Sequence, residues 1–199
     1  MGLTLAFDTA TAVATSALVA DGQPLGERAS RPVRVLEDVD DLLREAGAEP
    51  NELEKLAVGT GPGSFTGIRM GLAAARALSL ALELPLAGVS TLHALAAGAP
   101  GAVPVVDAGR REVFALLDGE PVVRRPQELD LESGTSCVGD GAVRYRAVLE
   151  AAGCEIPPDG SEQHRPRALF HALLAREFGP PDAVEPVYLR IPDAEQSGR

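Results

Sequence analysis

The sequence predicts an α/β protein of two related subdomains, each a mixed sheet with a β-meander and flanking helices. Two repeated patterns carry that reading. In the first, an apolar run ends in Asp8, another apolar run follows, and Asp21-Gly22 closes it; strand, Asp, strand, Asp-Gly, strand then recurs around Asp107 and Asp118-Gly119. Thirteen residues separate the aspartates in the first copy and eleven in the second. In the second pattern, Val58-Gly59-Thr60-Gly61 and Val138-Gly139-Asp140-Gly141 each lead into a helical stretch. A repeat of about 100 residues exceeds solenoid units of roughly 20 to 50, so it reads as a duplicated subdomain, divided into residues 1–99 and 100–199. At 45% apolar and 24% charged, the 199 residues suffice to fill such cores.

Leu3 to Phe7 reads as a strand ending in Asp8, and Thr9-Ala10-Thr11 turns the chain into a second, Val13 to Val19. Asp21-Gly22 signals a hairpin into a third strand around Leu25. Val35, Leu36, Val39, Leu42, Leu43 and Ala46 recur at helical spacing, with Glu37, Asp38, Asp40, Asp41 and Arg44 on the solvent side and Gly47 as the stop. Leu56-Ala57-Val58 is a buried strand, and Gly59 to Gly67 leads from it into a long helix, Thr66 to Glu83, ended by Pro85. Ser90 is placed to cap a helix reaching Gly98. Beyond Pro100-Gly101, Val103 to Val106, Val113 to Leu117 and Val122-Val123 repeat the meander, and Val143 to Ala152 is helical. A helix from Arg167 to Phe178 precedes the Gly179-Pro180-Pro181 breaker and Pro186 to Arg190, and the final residues are expected to fray.

A net charge of −11, from 18 basic and 29 acidic residues, excludes a stand-alone nucleic-acid binder, because such a surface repels phosphate. Cys137 and Cys154 are too few for a disulfide scaffold or a zinc site and read as cytosolic free thiols. Asp8 interrupts the apolar N-terminus, and Ala6 breaks the myristoylation pattern, so neither secretion nor a lipid anchor is expected. The apolar stretch from Ile68 to Leu82 contains Arg69 and Arg76 and is too short and charged for a bilayer span; a cytoplasmic protein is expected.

The glycines from Gly59 to Gly67 lie between a strand and a helix N-terminus, where backbone N–H groups can approach an anion. Asp8, Thr11, Gly61, Gly63, Ser64 and Thr66 are therefore the candidate phosphate or nucleotide loop. The loop matches neither a Walker motif, lacking its lysine, nor the dinucleotide spacing, and Ser64 lacks the glycines of a nucleophile elbow. A tight turn capped by Ser64 or Thr66, with Asp8-Thr9 as an Asx turn, is the plainer reading. His93, His164 and His171 are dispersed and read as surface residues, so no catalytic set, metal or cofactor is assigned. Within the long helix, Arg69, Arg76 and Glu83 form one stripe beside Leu72, Ala73 and Leu80, while Ile68, Ala75, Leu78 and Leu82 face the sheet. The stripe side is the candidate contact surface: Arg69, Leu72, Ala73, Arg76 and Leu80, joined by Val39 and Leu43 of the preceding helix.

The segment Val58 to Ala73, with Gly59-Thr60-Gly61-Pro62-Gly63-Ser64-Phe65-Thr66-Gly67 at its heart, closely resembles the signature of the TsaB (YeaZ) family of tRNA threonylcarbamoyladenosine biosynthesis. Leu5 to Thr11, Val89 to Leu92, Asp107 to Val113, Val138 to Gly141 and Pro186 to Arg190 extend the resemblance to nearly the whole chain. It implies two duplicated actin-like ATPase (ASKHA, ribonuclease H-like) subdomains, with the chain's end returning to the first. It also implies a non-catalytic subunit that pairs with the catalytic paralogue TsaD and the ATPase TsaE, homodimerises in isolation and meets tRNA only through the complex. The family's His-Ser-Glu run before the first helix is replaced here by Arg31-Pro32-Val33-Arg34. An active phosphotransferase of this fold, using Asp8 and the glycine loop, and a glycoprotease-like peptidase remain as alternatives.

Overall fold

The computed structural model describes residues 2–189, in which nine strands form two sheets. The first has the order β3-β2-β1-β4-β5, with β1 Leu3–Asp8, β2 Ala14–Ala20, β3 Gln23–Ser30, β4 Leu53–Gly59 and β5 Leu86–Val89. β1, β2 and β3 form an antiparallel meander, and β4 runs parallel to both β1 and β5. The second sheet repeats this as β8-β7-β6-β9, with β6 Val103–Gly109, β7 Glu112–Leu117, β8 Glu120–Arg124 and β9 Cys137–Val138, where β9 is parallel to β6.

Every residue of β1 is buried, as in a strand covered on both faces, and Thr4 and Asp8 are its polar members. Leu5, Phe7, Leu18, Leu56 and Val58 face α1 (Val35–Ala46) and α2 (Phe65–Leu82) in one core. Each large side chain so buried contributes roughly 1.5–3 kcal/mol. The opposite face is built of Ala6, Ala17, Ala57 and Ala87, whose small side chains let α6 (Ala168–Leu174) lie close on it. Leu92 and Leu95 of α3 (Thr91–Gly98) meet Val106 and Phe114, joining the two sheets. The second sheet's other face packs Val105, Val113, Ala115 and Cys137 against Leu149 of α5 (Arg146–Ala151).

Several expectations change. The helix expected from Val143 to Ala152 begins earlier and breaks at Tyr145 into α4 (Asp140–Arg144) and α5. The helix expected to reach Phe178 ends at Leu174, because Arg176 Nη1 takes Leu173 O and Ala175 O while the chain leaves to pair Gly179 with Leu86. β5, four residues including Gly88, gave no strand signal. Asp38, read as solvated, is 5% exposed and accepts from Ser30 Oγ. Ser90 stands at the start of α3 without capping it through its side chain. Arg190 and the final residues expected to fray lie outside the described residues.

Candidate functional site

Asp8 ends β1 at the mouth of the glycine loop with no solvent exposure. Its Oδ1 accepts from Ala10 N at 2.6 Å, the Asx turn expected, and its Oδ2 accepts from Thr91 Oγ1 at 2.7 Å. His171 Nε2 lies 2.8 Å from the same Oδ2, a contact without hydrogen-bond alignment, and Nδ1 stands 3.3 Å from Arg167 O. The surface reading of His171 is thus corrected: it is fully buried between α6 and β1. His164 is corrected likewise, being 6% exposed with Nδ1 accepting from Gly139 N. The signal for His171 was present, since it shares a helical face with the buried Ala168 and Ala175.

The loop glycines serve close packing. A Cβ on Gly63 would sit 2.3 Å from Ala10 O, one on Gly67 2.1 Å from Thr9 O, and one on Gly59 2.2 Å from the Asp8 carboxyl carbon. Ser64 is the N-cap of α2, accepting from Gly67 N at 3.2 Å, and its own N–H goes to Ala10 O. Thr9 Oγ1 donates to Gly67 O, Thr11 Oγ1 to Val13 O, and Gly61 O accepts from Thr91 N. Thr66 is exposed at the first turn. Most of the candidate loop's polar groups are therefore engaged within the chain.

The second half holds the counterpart. Asp107 N donates to Asp140 Oδ1 at 3.0 Å, and burial, ahead of the neighbouring Asp107 charge, pushes the Asp140 carboxyl up. Burial, then Cys154 beside it, pushes the Cys137 thiol up to about 12, so it is protonated and unreactive. A cavity of about 420 Å³ lies at the β5 edge beside Phe178 and Val184, lined by the carboxylates of Glu177 and Glu185 and by Thr60. Among the described residues no group of three His, Cys, Asp or Glu could hold a metal ion.

On the outer face of α2, Ala73 is exposed and Leu80 is 69% exposed. Leu36 of α1 and Val33 of the preceding turn, which touches α2, are 52% and 72% exposed. Leu72, Val39 and Leu43 lie in the core, at 3%, 6% and 6% exposure, and offer no outer surface. The two arginines of the stripe hold the chain's own tail. Arg76 donates to Pro181 O and Val184 O, and Arg69 donates to Tyr188 Oη while stacking 3.7 Å over Phe65. By length and composition α2 could cross a membrane; its Ile68, Leu72 and Ala75 pack instead on the first sheet.

Residues 27–143 match the family described as TsaD: tRNA N6-adenosine threonylcarbamoyltransferase. The chain is 35% identical over 212 residues to an uncharacterized protein of Mycobacterium leprae, covering 98% of this chain and 56% of that protein, so it spans little more than half of that relative. It is 28% identical over 218 residues to the tRNA threonylcarbamoyladenosine biosynthesis protein TsaB of Bacillus subtilis, covering 96% and 95%. Among solved structures, YeaZ from Pseudomonas aeruginosa superposes with a TM-score of 0.74 at 26% identity, over 95% of this chain and all of that one. Component A of the (R)-2-hydroxyglutaryl-CoA dehydratase of Acidaminococcus fermentans, with a TM-score of 0.54 at 12% identity, shares the fold. The paired sheets with flanking helices are of the actin-like ATPase type.

Proposed function

The chain belongs to the TsaB (YeaZ) family, and from that premise we propose that it is a non-catalytic subunit in tRNA threonylcarbamoyladenosine biosynthesis. In this reading it binds and supports the catalytic paralogue TsaD together with TsaE, in the cytoplasm, and meets tRNA through the assembled complex. One observation carries it: Asp8, the carboxylate a phosphotransferase would need at the glycine loop, is sealed behind Ala10, Thr91 and His171. A hydrated cation would have to displace those partners from a site with no solvent access.

A strip formed by Val33, Leu36, Ala73, Ala77 and Leu80 stays uncovered on the first subdomain. Exposed apolar surface that recurs along one helix marks an interaction site, and small residues such as Ala73 admit a partner helix closely. We propose this strip as the TsaD-binding surface and, in isolation, the homodimer surface. Val39, Leu43 and Leu72 support it from beneath, and Arg69 and Arg76 border it while holding the tail. Because Ala73 and Leu80 are exposed, changing both to Glu should leave the circular dichroism spectrum unaltered while abolishing TsaD binding and self-association. A folded double variant that binds TsaD at wild-type strength would remove this surface from consideration.

A further inference from the structure

We infer that the turn between β6 and β7, with the arginines brought beside it, is a contact for the phosphodiester backbone of folded RNA. The inference deepens the subunit reading and rests on it. The first observation is a turn whose residues fit it badly. The β2–β3 and β7–β8 hairpins turn on Asp21-Gly22, with φ of 48° and 79°, and Asp118-Gly119, with φ of 51° and 82°. The β6–β7 hairpin turns in the same left-handed region on Arg110 and Arg111, with φ of 53° and 65°. Gly and Asp tolerate positive φ in such a turn, whereas arginine carries the steric penalty of its Cβ at both positions. A local rule broken twice in succession, with like charges side by side, is the kind of outlier found where function outweighs fold stability.

The second observation is what the fold gathers there. Pairing of Val113 with Arg124 sets Arg124 two residues from Arg111 across adjacent strands, and Arg125 follows it. Arg144, at the end of α4, donates to Asp107 Oδ2 at 2.6 Å; Asp107 is in turn fixed by Gly109 N, so Arg144 is oriented yet 63% exposed. Arg110, Arg111, Arg124, Arg125 and Arg144 are all exposed. Arg28, Arg34, Arg44, Arg146 and Arg167 are paired with Glu45, Glu37, Asp40, Asp159 and Glu27, and none of those ion pairs involves Arg111, Arg124 or Arg125.

In a chain of net charge −11, this gathers five guanidinium groups, with Asp107 and Glu112 among them. Guanidinium forks match phosphate oxygens, and these are spread over a turn, a strand end and a helix end instead of converging on one pocket. That spread suits a line of phosphates better than one small anion. The surrounding acidity keeps the isolated chain's affinity low, so the contact operates when TsaD supplies the remaining charge.

The test measures binding of unmodified tRNA by the chain assembled with TsaD. The variant Arg111→Glu with Arg124→Glu and Arg125→Glu should assemble normally, bind tRNA at least ~10-fold more weakly at low salt, and flatten the dependence of log K on log salt by about three. The corresponding triple change to Lys should keep the salt dependence. Replacing Arg110→Asn and Arg111→Gly, residues the turn prefers, should raise Tm by a few degrees, roughly the effect of relieving strain at two positions, while weakening tRNA binding. Unchanged tRNA affinity and salt dependence in the assembled Glu variant would overturn the inference, as would an equal loss in the Lys variant. Loss of ATP or anionic-vesicle binding by the Glu variant with tRNA binding intact would assign the cluster to those ligands and overturn it too. Failure of the wild-type chain to bind TsaD would overturn the subunit reading, and this inference with it.

Discussion

Asp8 holds the glycine-loop end of the first sheet together through its buried contacts to Ala10, Thr91 and His171. Changing Asp8→Ala would leave the Thr91 hydroxyl and the Ala10 N–H without their buried acceptor and take away the carboxylate against which the His171 ring lies. An expected loss of about 3 kcal/mol, read from urea unfolding, follows from the cost of stranding buried polar groups. TsaD binding by the folded fraction should persist; an unaltered urea midpoint would show that Asp8 is dispensable to the fold. Asp140 supplies the opposite case. Burial raises its carboxyl above the usual range, so the folded chain keeps the proton to higher pH than the unfolded chain does. Its contribution to stability therefore falls as pH rises from about 3.9 through the raised value, and at neutral pH the group is a liability. Asp140→Asn keeps an oxygen for Asp107 N and removes the charge. The variant should equal or exceed wild-type stability at pH 7 and lose that advantage in acid, and lower stability at pH 7 would contradict the assignment.

At the scale of elements, α2 turns helix propensity around. Ala is favoured over Gly inside a helix by about 1 kcal/mol, so propensity alone expects Gly67→Ala to stabilise. The added Cβ would sit 2.1 Å from Thr9 O, in the tight seat of α2 on the β1–β2 turn, so the expected sign is reversed, with a loss of about 2 kcal/mol or more in thermal or urea unfolding. A gain in stability would mean that the glycine loop is not seated as described. What was legible follows the same division between local and distant causes. α1 was readable to both ends because its apolar spacing is complete and Gly47 leaves it at a left-handed φ of 65°. The repeated meander was readable because two of its turns are Asp-Gly. The early end of α6 was not, since its apolar pattern continues past Leu174 and the chain is drawn off by pairing with Leu86. The stripe of Arg69 and Arg76 was visible in spacing, but its occupant was not: the carbonyls that Arg76 holds lie 105 and 108 residues away. The pairing of Asp8 with His171 was hidden for the same reason, although the buried face of α6 could be read.

For the molecule as a whole, the chain's end completes the first sheet. We propose the subdomain division at residues 1–99 and 100–199, with the qualification that residues 168–188 belong structurally to the first. α6 covers Ala6, Ala17, Ala57 and Ala87, Gly179 pairs with the edge of β5, Val187 N donates to Thr60 O, and Tyr188 packs on Phe65. A fragment ending at residue 99 would expose one face of its sheet and strand Asp8 without His171, and Arg76 without Pro181 O and Val184 O. Fully burying one side of a sheet is a condition of stability for a domain of this size, and a fragment of about 100 residues with one bare face lacks the apolar burial to offset its conformational entropy. The fragment 1–99 is therefore expected to lack cooperative urea unfolding and dispersed amide resonances on its own. It should recover both when mixed with residues 100–199, because the second fragment brings α6 and the tail back to the sheet. Cooperative unfolding of 1–99 alone, at a midpoint near that of the intact chain, would show that the first subdomain is self-sufficient and that the returning tail is only an accessory to it.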